Sequence, residues 1–92
     1  MKTFAVLITY GENIVERRAP YREAHLSRLR QLHTDGKLVM AGAWNDPIDG
    51  GLLVFRANSR EEVEAVMRDD PYTQAGLFLD TRIREWNVVV GG

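Results

Sequence analysis

The sequence has no cysteine, three prolines and two histidines among its 92 residues. The lack of cysteine excludes disulfides, thiolate metal ligands and thiol nucleophiles, while leaving the redox compartment open. With only two imidazoles, few side chains can exchange protons near neutral pH. The candidates for acid–base chemistry near neutral pH are therefore His25 and His33.

Charge of one sign and long apolar runs are also missing. Twelve basic and thirteen acidic side chains give a net charge of -1, without the basic cluster typical of nucleic-acid-binding proteins. The apolar runs are far shorter than the ~20 residues of a membrane span. The residues after Met1 show no signal-peptide cleavage pattern. These absences predict a cytoplasmic protein with neither a nucleic-acid partner nor a membrane partner.

Apolar periodicity and turn residues divide the chain into strands and helices. The pattern predicts four strands, at Phe4–Tyr10, Lys37–Trp44, Leu52–Phe55 and Leu77–Val90. It predicts a first helix over Pro20–Asp35, after a polar stretch, with Gly36 as its stop.

Turn and capping residues complete the prediction. Turns are predicted at Asn45–Pro47 and Asp49–Gly51. A second helix is predicted to begin at the capping box Ser59–Glu62 and to end before Asp70-Pro71. A change of apolar parity between Ile83 and Trp86 favours a bulge in the last strand or burial of both its faces.

The resulting order β-α-β-β-α-β predicts a single α+β domain over residues 1–92, a ferredoxin-like subunit with an antiparallel sheet. Two helices cover only one face of such a sheet, yet Ala5–Ile8, Leu38–Ala41 and Leu52–Phe55 are apolar at both parities. We therefore expect a second copy of the chain to cover the other face, as a homodimer or a higher oligomer enclosing a barrel-like interior.

A candidate site lies on the first predicted helix. Arg18, Arg22, His25 and Leu29 are spaced by four, three and four residues, which places them on one stripe of a continuous helix. Arg18 precedes Pro20, so it shares the stripe only if the helix extends beyond its predicted start. His25 then lies at the edge of the core, between cations and apolar side chains. On residue physics alone, a histidine bonded to a backbone carbonyl is the commoner interpretation. With a carboxylate partner it could act as a general acid or base.

The carboxylate partner is ambiguous in the sequence. Asp70 precedes a proline and could simply satisfy backbone N–H groups, and the neighbouring Asp69 could cap the same turn. His33 lies about 12 Å from His25 along a helix, too far to share a metal. The sequence therefore predicts neither a metal site nor a cofactor.

Four aromatic side chains could line a pocket for a planar ligand, although such residues are more often core. They are Trp44, Tyr72, Phe78 and Trp86.

Several segments occur together in a fixed order. They are Arg22-x-x-His25-Leu26, Gly36–Gly42, Asp70-Pro71-Tyr72-x-x-Ala75-Gly76-Leu77 and Glu85-Trp86. This combination resembles the YciI-like (YCII-related) family and spans nearly the whole chain. The resemblance implies a dimeric α+β barrel with a catalytic dyad, which by motif position is His25 and Asp70.

The family resembles muconolactone isomerases and includes a dehalogenase of chloroaromatic breakdown. The resemblance therefore implies proton transfer on a small anionic or enolisable ring compound, of the isomerase, lyase or dehalogenase type and without a cofactor. Arg22 and Arg18 would hold a carboxylate or oxyanion, and Trp44 and Tyr72 would contact the ligand. Ala43-Trp44 stands where Gly-Pro is frequent in the family, and we expect the bulky Trp44 to lie beside the pocket and to affect the shape of ligand that fits.

Two other functions fit the same residues. One is a non-catalytic dimer that binds a small metabolite in the same pocket. The other is a cofactor-independent monooxygenase, which needs a substrate that activates oxygen itself.

Overall fold

The computed structural model describes all 92 residues. Its elements follow the predicted order, with short additional helices. They are β1 (Lys2–Tyr10), α1 (Ile14–Arg18), a 3-10 helix (Ala19–Tyr21), α2 (Arg22–Thr34), β2 (Leu38–Ala43), β3 (Gly50–Ala57), α3 (Arg60–Arg68), α4 (Pro71–Gln74) and β4 (Phe78–Glu85). The ferredoxin-like α+β subunit is confirmed.

The four strands form one antiparallel sheet in the order β2-β3-β1-β4. Along β1, Phe4, Val6 and Ile8 are buried in alternation, so one face of the strand carries the core. Leu29 of α2 and Val63 of α3 belong to the same apolar cluster. The helices therefore cover this face of the sheet.

The other face, called the open face below, mixes apolar and charged residues. Leu7 lies opposite Leu52 on one side and Arg82 on the other, and residues opposite each other share a face. Leu7 is 40% exposed and Leu52 is half-buried. The expected apolar surface is thus present on β1 and β3, whereas β4 carries Arg82 and Arg84 there.

The chain becomes helical earlier than predicted. The segment before Pro20 is not an irregular polar stretch, because Ile14–Arg18 forms α1 and Ala19–Tyr21 continues it as a 3-10 helix. Ile14 is buried in the core and anchors this turn. A single apolar residue is too short a pattern to mark a helix, which explains the error.

The start of α3 agrees with its predicted capping box. The Ser59 hydroxyl accepts a hydrogen bond from the Glu62 amide at 3.4 Å. The Glu62 carboxylate accepts from the backbone N–H of Asn58 at 3.0 Å, one residue earlier than in the usual reciprocal pair.

The last strand is shorter than predicted. It ends at Glu85 instead of Val90, although the backbone N–H of Trp86 still donates to the Thr3 carbonyl at 2.8 Å. Its irregularity lies at the other end, where the β1–β4 register shifts between Thr9 and Tyr10. The pairing from Ile83 to Glu85 is regular and most of β4 is exposed, so both predicted alternatives, a bulge and burial of both faces, are wrong. No helix reaches the length and apolarity that crossing a membrane requires.

Gly50 and Gly51 were predicted as a turn but belong to β3 and are buried. A Cβ on Gly50 would collide with the carbonyl oxygen of Ile8, and one on Gly51 with that of Gly42. The two glycines therefore permit close approach of the neighbouring strand backbones. A Gly-Gly pair is a common turn signal, and only the tertiary neighbours identify its other use.

We predict that Gly51→Ala lowers the free energy of unfolding by about 1–3 kcal/mol, because strand backbone must move to accept the methyl group. Urea unfolding followed by circular dichroism measures this change. Gly42→Ala is the matched control, since a Cβ at Gly42 meets nothing within 4 Å. Equal stability of the two variants would contradict the close-approach explanation.

Candidate functional site

Asp70 lies at the junction between α3 and α4. Its carboxylate accepts a hydrogen bond from the Tyr72 amide at 2.8 Å and caps α4, while Pro71 occupies the first helical turn. The side chain is almost fully buried, with 1% of the residue exposed. Asp69 instead ends α3 and is exposed. The structure therefore places Asp70, not Asp69, inside the protein.

His25 lies in α2 and contacts this carboxylate across 45 residues of sequence. Its Nδ1 is 2.9 Å from one Asp70 oxygen and 3.0 Å from the other. The residue is 7% exposed. Since a carboxylate accepts hydrogen bonds, this geometry favours the tautomer with a proton on Nδ1 and leaves Nε2 for a ligand.

Arg28 is a third member of this cluster. One of its guanidinium nitrogens is 3.8 Å from Asp70, and another donates to the Val66 carbonyl at 2.8 Å. Arg28 was not among the site residues predicted from the sequence. Its position three residues after His25, on the same face of α2, is a signal that could have found it.

The ring of Tyr72 stacks on the face of the His25 imidazole. The two ring centroids are 3.7 Å apart and the planes differ by 8°. The residue is 1% exposed, and its hydroxyl is buried without a hydrogen-bond partner. Asp70 and Tyr72 thus constrain the imidazole from its edge and from its face.

A cavity of about 350 Å³ opens beside His25, between α2 and the core face of the sheet. Arg18, Arg22 and Tyr72 line it, as the sequence predicted for ligand-binding residues. Arg18 reaches the cavity from the end of α1 instead of from α2. Apolar side chains, including Ile8 and Leu53, form much of the remaining wall.

Trp44 does not line the cavity, although its neighbours Ala43 and Asn45 do. It follows β2 and is 47% exposed. Within one chain the structure therefore does not bring Trp44 to His25.

The other two aromatic candidates also lie outside the cavity lining. Phe78 packs between Tyr10 and Tyr72, with ring centroids 5.9 and 6.1 Å away, in the core role that the sequence favoured. Trp86 lies on the open face beside Leu7.

His33 has a structural contact. Its Nδ1 is 2.9 Å from the carbonyl oxygen of Leu38, which links the end of α2 to the start of β2. No group of three or more His, Cys, Asp or Glu side chains gathers in a metal-binding arrangement.

Tyr10 lines the cavity but was not predicted from the sequence. It ends β1, lines the cavity and is buried. Burial raises the pKa of its phenol above the usual value of 10.0, although the positive charges of Arg18 and Arg22 act in the opposite direction. The phenol therefore keeps its proton at neutral pH and can serve as a hydrogen-bond donor.

Known proteins similar to this chain include bacterial relatives and solved structures. The Escherichia coli protein YciI is 32% identical over 84 residues, which covers 82% of this chain and 86% of that protein. The 5-chloro-2-hydroxyhydroquinone dehydrochlorinase TftG of Burkholderia phenoliruptrix, solved with 2,5-dihydroxybenzoquinone, superposes with a TM-score of 0.81. It is 26% identical, and the match covers 92% of this chain and 93% of the enzyme.

A more distant structure shares only the fold. An antibiotic biosynthesis monooxygenase is 8% identical, with a TM-score of 0.57 over 98% of this chain and all of that chain. The model of the YCII-related domain matches residues 2–87. The chain therefore belongs to the YCII-related family, as its motifs predicted.

Proposed function

We propose that this protein is a small enzyme in which His25 transfers protons to and from a ring compound, with Asp70 orienting the imidazole. The observation that carries the proposal is the buried His25–Asp70 contact at the wall of a cavity that also contains two arginines. A base, an orienting carboxylate and anion-binding groups are the parts that proton transfer requires.

The reaction uses Nε2 of His25 as the base. It takes a proton from a hydroxyl or an acidic C–H of the ring, and the electron pair of the broken bond moves into the ring. The developing negative charge rests on a ring oxygen near Arg18 and Arg22. His25 then returns the proton to a ring carbon at a new position, which completes an isomerisation. For loss of HCl that carbon is the one that carries chlorine. Loss of a second hydroxyl proton to His25 then forms a C=O bond, and chloride departs with the electron pair of the C–Cl bond.

The similarity to TftG supports a ring compound as the substrate. That enzyme is a dehydrochlorinase of a chlorinated hydroxyhydroquinone, and it matches this chain over nearly its whole length. Loss of HCl fits the residues here, because His25 accepts the proton and chloride departs with the electron pair of the C–Cl bond. Neither an oxidant nor a metal is needed for that balance.

We predict that the protein releases chloride from 5-chloro-2-hydroxyhydroquinone, measured by ion chromatography under anaerobic conditions. His25→Ala should lower the rate by about a hundredfold or more, because the general base is lost. His33→Ala is the matched control: it removes the other histidine, which lies outside the cavity lining, and should leave the rate unchanged.

Two results would redirect the proposal. An unchanged rate in His25→Ala would contradict the role of the histidine. Saturable binding of the compound to wild-type protein without chloride release would instead favour a metabolite-binding protein.

The orienting role of Asp70 has its own test. We predict that the neutral His25 ring carries its proton on Nδ1, and that Asp70→Asn raises the population of the Nε2–H tautomer, because an amide can donate to Nδ1. Two-dimensional ¹⁵N–¹H NMR of histidine-labelled protein distinguishes the tautomers. His33 is an internal reference, since its Nδ1 faces a carbonyl in both proteins. An unchanged His25 tautomer would exclude Asp70 as the orienting group.

We also propose that two copies associate through the open face. Leu7 and Met40 are exposed, 40% and 60% respectively, and Leu52 beside Leu7 is half-buried, so association would remove apolar surface from water. The cavity lies on the helix side of the sheet and would stay accessible.

We predict that wild-type protein sediments as a dimer at micromolar concentration and that Leu7→Glu sediments as a monomer. A carboxylate at this position would have to be buried unpaired in the interface. Val15→Glu is the control, because Val15 is 57% exposed on α1, away from the open face. Circular dichroism verifies that both variants are folded. A stable wild-type monomer would overturn the proposal.

A further inference from the structure

The cavity contains a hydroxyl group that the proton-transfer step does not use. Tyr10 brings its phenol to the cavity from the end of β1, and its ring packs against Phe78 with centroids 5.9 Å apart. A phenylalanine would make the same apolar contact. The hydroxyl is therefore the part of Tyr10 that packing does not require.

The neighbours of this hydroxyl leave its proton available. Arg18 and Arg22 line the same cavity as Tyr10, and although burial raises the pKa of its phenol, their positive charges act to lower it. Guanidinium groups carry only donors, so they can approach the phenol oxygen but cannot accept its proton. The Tyr10 O–H is thus free to donate to a molecule in the cavity.

A second tyrosine in the same wall lacks an acceptor. The Tyr72 hydroxyl is enclosed and has no hydrogen-bond partner, and Tyr72 is near enough to act electrostatically on Tyr10. A buried hydroxyl without a partner is unfavourable. Tyr10 and Arg18 therefore bring donors to the cavity lining, which contains no carboxylate, while the Tyr72 hydroxyl is enclosed behind it.

We propose that Tyr10 and Arg18, with Tyr72 behind them, form an oxyanion-binding corner that takes an ionised ring oxygen, as in a phenolate, an enolate or a hydroxyquinone anion. The inference rests on the proposed function, because it names the part of the ligand that the same cavity holds. Tyr10 donates one hydrogen bond to that oxygen, and Arg18 supplies positive charge and a second donor.

Burial supports this role for Tyr10. It raises the pKa of the phenol, so the group stays neutral and keeps its proton beside an anion. A phenol that ionised near neutral pH would repel the ligand instead.

The test uses 4-nitrophenol, whose neutral and ionised forms differ in visible absorbance. Wild-type protein should bind the ionised form more tightly than the neutral form, and more tightly than 4-nitroanisole, which has no ionisable oxygen. Tyr10→Phe should weaken binding of the ionised form about tenfold, the effect of losing one hydrogen bond to a charged group, with 4-nitroanisole unaffected. Tyr21→Phe, at an exposed tyrosine outside the cavity lining, should change nothing.

A second variant guards against a folding defect in Tyr10→Phe. Arg18 is only half-buried, so Arg18→Gln should fold normally and also weaken the ionised ligand selectively. Unchanged affinity in both variants, or failure of wild-type protein to prefer the ionised form, would overturn the inference.

His25→Asn separates this inference from the proposed function. It should still bind the ionised ligand while losing chloride release. Binding of the ionised ligand that weakens in Tyr10→Phe but persists in His25→Asn supports the oxyanion corner even if no chloride is released by any variant.

Discussion

The buried carboxylate of Asp70 is the constraint on which the site depends. Removing a carboxylate from water costs several kcal/mol unless donors and cations surround it. Here the compensation comes from the Tyr72 amide, the His25 ring and the Arg28 guanidinium. Two of these belong to α2 and one to α4, so satisfying one charge joins elements that are far apart in sequence. The orientation of His25 is a consequence of that requirement.

The turn around Asp-Pro serves local structure and the site at once. Pro71 cannot extend α3 regularly, and its fixed φ suits the first turn of α4, for which Asp70 is the cap. The same turn places Tyr72 flat against the imidazole. The segment Asp70-Pro71-Tyr72 therefore begins α4 and also supplies two contacts of His25, with the Asp70 carboxylate and with the Tyr72 ring. In sequence, the motif is therefore compatible with a local turn alone, and only the structure identifies its contacts with His25.

The sequence could predict the features that depend on local pattern. The order of strands and helices, the capping box at Ser59 and the stripe of Arg22 and His25 all follow from spacing. The features it missed depend on distant neighbours. Gly50 and Gly51 lie in a strand whose neighbours leave no room for a Cβ. The choice between Asp69 and Asp70 depends on which carboxylate faces α2. The proposed role of Tyr10 as a hydrogen-bond donor could not be predicted for the same reason, since a tyrosine that ends an apolar strand is typical of a core.

In the proposed reaction, the group that moves a proton is separate from the groups that hold the negative charge. His25 contacts a carboxylate that does not line the cavity, whereas Tyr10 and Arg18, which do line it, can both donate hydrogen bonds to a ligand. This separation matters for an enolisable ring, because the proton leaves one atom while negative charge appears on another. Burial raises the pKa of Tyr10, so under this proposal the phenol would donate a hydrogen bond to the oxyanion without giving up its proton. The charge would then stay on the ring, where it can expel a leaving group or direct reprotonation, and His25 would be the only protein group that the proposal requires to change its protonation state.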